Sequence, residues 1–303
     1  MRICEVGPRD GLQNLPFVVP TEVKIELIAA LVDAGVPEID AGSFVPAKVV
    51  PQFGDVEQVV EAALSHPGVS IGALVPNERG AERAISTGVR RLYFVVSASE
   101  AHNRVNVRRT VEEQLARFRS VRARINTTRQ PIVLTGAIAT AFGCSLSGRV
   151  PERAVRELAV ALAEAGADEI GLADTVGYGN PPLVRSVVAG VRADVGPDMP
   201  LRLHLHDTLG LGLANAYAGI EAGIRCFDAS VSGLGGCPFA PGARGNIVTE
   251  DLVFMLHELG FATGIDLDRL LATRAILARA IPPEYLTGHL HEAGIPRALR
   301  QAA

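Results

Sequence analysis

Four times along the chain a helix-like stretch gives way to a small residue and a glycine, then to a short apolar run. The joins read Ala34-Gly35-Val36-Pro37-Glu38-Ile39, Thr87-Gly88-Val89-Arg90-Arg91-Leu92, Ala165-Gly166-Ala167-Asp168-Glu169-Ile170 and Ala222-Gly223-Ile224-Arg225-Cys226-Phe227. Glycine just past a helix is the usual left-handed cap, because it brings no Cβ into that conformation. The apolar run behind it reads as a buried strand. Each join is therefore a helix feeding a strand of a parallel sheet.

Filling in between the joins predicts eight strands, near Ile3–Val6, Glu38–Ala41, Ser70–Leu74, Leu92–Val96, Ile132–Ala139, Glu169–Ala173, Leu201–Leu205 and Phe227–Val231. Helical segments alternate with them. Over Pro151–Ala165 the proline suits a first turn, and Val155, Leu158, Ala159 and Leu162 make one apolar stripe. A last barrel helix is predicted over Thr249–Leu259, closed by Gly260. Eight βα units over roughly 263 residues fit an α/β fold of the (β/α)8 TIM-barrel type, typically ~250 residues. An open doubly wound sheet is the rival, but its first turn usually carries G-x-G-x-x-G, and here that turn reads Gly7-Pro8-Arg9-Asp10-Gly11. The expectation is one catalytic domain, a barrel over about 1–263 with additional C-terminal helices over 264–303.

In such a barrel, chemistry sits where strands end, so the polar residues that follow each apolar run are the candidates. They are Arg9 and Asp10; Asp40 with Ser43; Ser97, Ser99, Glu100 and His102; Asp174 and Thr175; His204, His206 and Asp207; and Ser230. A glycine-rich stretch from Gly233 through Cys237 to Asn246 follows the eighth strand. His204 and His206 are two apart at a strand end, and side chains at i and i+2 of a strand share a face. Two converging imidazoles make half of a metal site. Asp10 and the Asn246 amide oxygen would complete four ligands of an octahedral divalent ion, with two positions open for a substrate hydroxyl and carbonyl.

Bulk properties add exclusions. A net charge of −4 gives no footing for nucleic acid or an anionic membrane, so the partners expected are small molecules. Four scattered cysteines, Cys4, Cys144, Cys226 and Cys237, contain no C-x-x-C pair and suggest no disulfide framework. No apolar run is long enough to span a bilayer, and the motif opening at Glu5 leaves no room for a leader. A cytoplasmic protein is the expectation.

The strings EVGPRDGLQN at 5–14, SFV at 43–45, HLHDT at 204–208 and LGGCPF at 234–239, with Gly245-Asn246 and Glu250-Asp251-Leu252, resemble the 3-hydroxy-3-methylglutaryl-CoA lyase family. The resemblance covers roughly residues 3–270, and its motifs fall in the family's order. It implies Mg²⁺ or Mn²⁺ held by Asp10, His204, His206 and Asn246, an acyl-CoA substrate, a homodimer, and a place in leucine degradation and ketone-body formation. The implied reaction is retro-Claisen cleavage of an alkylated hydroxyglutaryl-CoA to acetyl-CoA, leaving as an enolate, and a 3-oxo acid such as acetoacetate. By the same resemblance Arg9 stabilises the enolate oxygen, Cys237 acts as acid or base on a closing loop, His204 shuttles protons, and Asp174 and Glu250 support the site.

Two departures stand out. Asp40 occupies a position where the family usually has glutamate, and Ala137 aligns with a family tyrosine beside the substrate. The lost ring predicts a pocket that takes more than a methyl group at C3.

Plainer readings compete. Arg9-Asp10 could be only a salt bridge at a strand end, and Cys237 alone only a small hydrophobe. His289 and His291 repeat the spacing, but on a helix i and i+2 diverge. His66 and His102 read as surface or loop histidines, and the arginines between Arg104 and Arg124 as a solvated helix face, with a CoA phosphate contact as the alternative. Rival functions are a related acyl-CoA lyase, aldolase or condensing synthase of the same barrel group, and a catalytically silent acyl-CoA-binding scaffold. A scaffold needs none of Arg9, Asp10, the two histidines, Cys237 and Asn246.

Overall fold

The computed structural model describes residues 1–235 and 245–296. Eight parallel strands close into a barrel in sequence order. They are β1 (Arg2–Glu5), β2 (Glu38–Ser43), β3 (Ser70–Leu74), β4 (Arg91–Ser97), β5 (Val133–Ala139), β6 (Glu169–Asp174), β7 (Leu201–Leu205) and β8 (Cys226–Ala229). Pairing of Ile3 with Phe227 and of Cys4 with Asp228 joins β1 to β8 and closes the ring. Around it lie α1 (Thr21–Asp33), α2 (Val56–Leu64), α3 (Glu78–Ser86), α4 (Glu100–Val107), α5 (Val111–Asn126), α6 (Glu152–Glu164), α7 (Pro181–Val195), α8 (Gly212–Glu221) and α9 (Thr249–Glu258). The barrel expected from the alternating pattern is the barrel found.

The local signals worked for physical reasons. All four join glycines, Gly35, Gly88, Gly166 and Gly223, have φ between 85° and 93°. A side chain there would be strained, so the helix stops where the sequence places the glycine. In α6 the stripe Val155, Leu158, Ala159 and Leu162 is the buried face. Leu162 presses on β5 where Gly136 has no side chain; a Cβ there would stand 3.2 Å from both Leu162 methyls.

Strand ends differ from expectation at β1 and β8. β1 stops at Glu5 because the Val6 carbonyl accepts from the Arg9 and Gly11 amides, drawing the chain into a turn. β8 stops at Ala229 because Ser230 donates to Ile247 and pairs with the chain at Val248, after which 231–233 turns. Beyond the barrel, α10 (Leu267–Ala272) and α11 (Arg274–Leu277) pack on α1, and α12 (His289–Ala293) on α9. Among the described residues no helix is long and apolar enough to cross a membrane.

The barrel interior has a charged floor. Arg2, Arg91 and Arg202 face Glu38, Glu169 and Asp228 where the strands begin. Arg202 Nε donates to Glu169 Oε2 at 2.8 Å, Arg91 Nη1 to the same oxygen at 2.9 Å, and Tyr93 Oη to Glu38 Oε1 at 2.9 Å. Three positive and three negative groups balance, which is what makes their burial tolerable.

Candidate functional site

Directly after β1 the chain winds into a five-residue π turn, Gly7–Gly11. Such turns are rare and often mark functional positions; this one carries Arg9 and Asp10 to the mouth of the barrel. β7 brings His204 there, and His206, one residue past the strand's end, still extended and bridged to Asn246, joins it. Asn246 arrives by another route. The stretch 245–247 returns beside the end of β7, with Asp207 donating to the Gly245 carbonyl, Ile247 to the Leu205 carbonyl, and Asn246 bridging to His206.

Asp10, His204 and His206 form the metal-competent cluster found among the described residues, with one ligand atom of each within 4.8 Å of the others. The two Nε2 atoms are 3.1 Å apart, and Asp10 Oδ2 is 3.8 Å from each. Asn246 Nδ2 donates to Asp10 Oδ2 at 2.8 Å and to the Leu234 carbonyl at 2.9 Å. Its amide oxygen is buried with no hydrogen-bond partner among the described residues. The donor set fits a divalent ion. An ion about 2.1 Å from two nitrogens at right angles sets them about 3.0 Å apart. The set also holds a carboxylate and an amide oxygen without a donor, the mixture a hard or borderline cation prefers.

Electrostatics point the same way. Burial raises the Asp10 carboxyl, but Arg9, His204, His206 and Asn246 outweigh it and hold the pKa at about 2. Burial, with the charge of His204 behind it, lowers His206 to about 4, so its ring is neutral with a lone pair available. His204 is raised: burial works against its charge, but the hydrogen bond to Asp228 and the nearby Asp10 prevail. A cation held here would compete with protons for the Nε2 lone pairs of both rings.

Arg9 is clamped, Nε donating to Asp40 Oδ2 at 2.6 Å and Nη1 to Asp10 Oδ1 at 2.7 Å. The two ion pairs tie Asp10 of the cluster to Asp40 of β2. Burial pushes Asp40 up to about 6 despite Arg9, and its Oδ1 is buried without a hydrogen-bond partner among the described residues.

The other sequence candidates sit differently. Asp174 accepts the amides of Tyr178 and Gly179 at 2.9 and 3.0 Å and so shapes the turn after β6; burial lifts it to about 6. Glu250 points at the backbone, accepting the Ser232 amide through both oxygens at 3.1–3.2 Å, and burial raises it to about 8. Its visible contact braces the turn that starts the glycine-rich segment. Cys237 lies outside the described residues. Gly235, the last described residue before it, lies against the Asp10 carbonyl and the Asn246 amide.

Ala137 is paired between Val95 of β4 and Gly171 of β6. Like Leu74, Val95 and Ala173 it is a half-buried apolar position, and Ala173 pairs directly with His204 across β6 and β7. A Cβ on Gly171 would stand 3.4 Å from Arg202 Cγ and 3.6 Å from the Cβ of Ala137. His102 corrects the surface reading: it is 2% exposed and its Nδ1 is 2.7 Å from the Ser97 hydroxyl, because α4 folds back over the end of β4. His289, by contrast, does lie on the short α12, against Asp251.

Sequence reasoning missed Asp228 and Arg202. Arg202 and His204 share one face of β7 at period 2, with His206 the next in that period just past its end, and Asp228 is a lone charge within the apolar β8 run. Charged residues inside apolar strands were the available signal.

Three comparisons bear on kinship. The family model described as HMGL-like matches residues 1–277. The chain is 42% identical over 281 residues to the mitochondrial hydroxymethylglutaryl-CoA lyase of Rattus norvegicus, covering 93% of this chain and 86% of that one. It is also 42% identical over 294 residues to (R)-citramalyl-CoA lyase of Chloroflexus aurantiacus, covering 92% of each. A solved HMG-CoA lyase from Acinetobacter baumannii, in complex with coenzyme A and 3-methylmalate, superposes with a TM-score of 0.90 at 42% identity, covering 98% of this chain and 95% of that one. With the family model spanning the whole barrel and relatives this similar over most of their length, the chain belongs to the HMGL-like family, alongside the hydroxymethylglutaryl-CoA lyases.

Proposed function

We propose that this chain is a metal-dependent carbon–carbon lyase that cleaves 3-hydroxy-3-methylglutaryl-CoA, or a related 3-hydroxy-3-alkylglutaryl-CoA, to acetyl-CoA and a 3-oxo acid. The observation that carries the reading is the Asp10, His204 and His206 cluster beside Asn246, with Arg9 clamped next to it at the strand ends. Asp10, His204, His206 and Asn246 would hold Mg²⁺ or Mn²⁺, which would supply Lewis-acid polarisation of the substrate and a lowered hydroxyl pKa.

The chain's own groups do the rest. Asp40, raised to about 6, accepts the tertiary hydroxyl proton near neutral pH. As that oxygen becomes a carbonyl, the C2–C3 bond breaks and its electron pair passes into the thioester as an enolate. Arg9, fixed by two carboxylates, offers its guanidinium to the enolate oxygen, a charge already in place when it is needed. Cys237, two residues past Gly235, returns a proton to C2 and completes acetyl-CoA. Asp174 and Glu250 act indirectly by holding the turns that frame the mouth.

A second reading keeps the same bond fission and changes the substrate to a citramalyl-type thioester; the identity to (R)-citramalyl-CoA lyase favours it. A homodimer belongs to the proposal as well, and sedimentation of the purified protein as a monomer would remove it. The functional test is a steady-state assay for acetyl-CoA with Mg²⁺ or Mn²⁺ over a panel of hydroxyacyl-CoA thioesters. Release from the alkylglutaryl compounds supports the first reading and release from citramalyl-CoA alone the second. Consumption of acetyl-CoA with an oxo acid indicates a condensing synthase, and no turnover in metal-loaded protein a silent scaffold.

A further inference from the structure

The far side of His204 is tied to the barrel floor. Its Nδ1 stands 3.2 Å from Asp228 Oδ2, while the other oxygen of Asp228 accepts Arg202 Nη1 at 2.8 Å. Arg202 is pinned in turn by Glu38 and Glu169 and lies 5.4 Å over the Tyr93 ring. Backbone register supports the arrangement: His204 and Asp228 are direct partners across β7 and β8, and Arg202 and His204 are alternate residues on one face. Nothing comparable holds the second imidazole, since His206 Nδ1 is buried without a hydrogen-bond partner among the described residues.

A histidine has two nitrogens, and which one can bind a metal depends on the hydrogen bond made by the other. A carboxylate at Nδ1 keeps the proton on that atom and leaves Nε2 as the lone-pair side. Here Nε2 is the atom that faces His206 and Asp10. We infer that Asp228 is a positioning residue for the metal centre: it fixes the tautomer and ring plane of His204, and Arg202 holds Asp228 in that pose. The inference rests on the proposed metal centre. A purely structural alternative has Asp228 doing no more than balancing Arg202.

Manganese binding to the full chain without substrate separates the two, read by calorimetry or electron paramagnetic resonance for wild type, Asp228→Asn, His204→Gln and the double variant. If Asp228 acts through His204, D228N weakens Mn²⁺ binding by about 10–100-fold, and adding D228N to H204Q changes it by less than about twofold. D228N binding as tightly as wild type overturns the inference, as does an equal penalty in both backgrounds. Arg202→Lys is the second variant should D228N not fold. It keeps the charge but loses the fork, so a several-fold weaker affinity supports the inference and an unchanged one overturns it. Failure of wild type to bind manganese is a different result: it removes the metal-centre reading and this inference with it.

Discussion

Gly235 is a position where one methyl group should disable the site with little effect on the fold. Its φ is 99°, a region that side chains rarely adopt, and a Cβ there would lie 2.7 Å from Asn246 Nδ2 and 2.8 Å from the Asp10 carbonyl oxygen. Ordinary non-bonded contacts begin near about 3.5 Å. In Gly235→Ala, therefore, Asp10 and Asn246 must retreat by about half an ångström or more. The backbone strain is worth roughly 1–3 kcal/mol, a fall of several degrees in melting temperature. Catalytic and metal constellations tolerate about 0.5 Å of error, so the functional loss should be much larger. Mn²⁺ affinity is expected to drop at least about tenfold and kcat about 100-fold. Calorimetric Mn²⁺ titration, a thermal melt and an acetyl-CoA release assay on the same preparation check this. G235A that binds Mn²⁺ within twofold of wild type, while melting several degrees lower, would refute the placement of this residue against the ligands.

Glu250 gives a pH-dependent signature. Burial holds its carboxyl at about 8, against 4.5 in the unfolded chain, so the native state keeps a proton that the unfolded state releases. Stability must then fall as pH rises between those values, by about 2 kcal/mol from pH 6 to pH 8 for this group. Glu250→Gln removes that loss; urea denaturation at the two pH values should show a smaller decline, and an unchanged decline contradicts the assignment. The small side chains at Ala137 and Gly171 predict that a 3-ethyl substrate is cleaved with kcat/KM within about tenfold of the 3-methyl compound, one methylene being worth ~1–3 kcal/mol in a pocket that rejects it. Ala137→Phe should penalise the ethyl compound more, and a clear methyl preference in wild type sinks the idea. Arg9→Lys cannot reach Asp40 and Asp10 together as the guanidinium does. We expect kcat to fall by about 10²–10³-fold while Mn²⁺ affinity changes far less; kcat within tenfold of wild type would show that the fork is not needed.

Much of this was legible from pattern because the governing physics is local. Glycine caps follow from positive φ at Gly35, Gly88, Gly166 and Gly223, and the strand period puts His204 and His206 on one face. What escaped depended on contacts far apart in sequence. Glu250 looked like a site acid, but its carboxylate turns to the Ser232 amide, a contact that exists only because the chain folds back after β8. His102 looked exposed until α4 closed over Ser97. Asp228 belongs to no motif; a single acid inside the apolar β8 run gains its meaning only from His204 and Arg202 on the neighbouring strand.

The most direct test of the central claim is cleavage in deuterium oxide. Metal-loaded protein incubated with 3-hydroxy-3-methylglutaryl-CoA should release acetyl-CoA and acetoacetate in equal amounts, with one solvent deuteron in the acetyl methyl group by mass spectrometry, and a chelator should stop release. Acetyl-CoA formed at the same rate after chelation, or formed without the deuteron, would contradict enolate chemistry at the Asp10, His204, His206 and Asn246 centre.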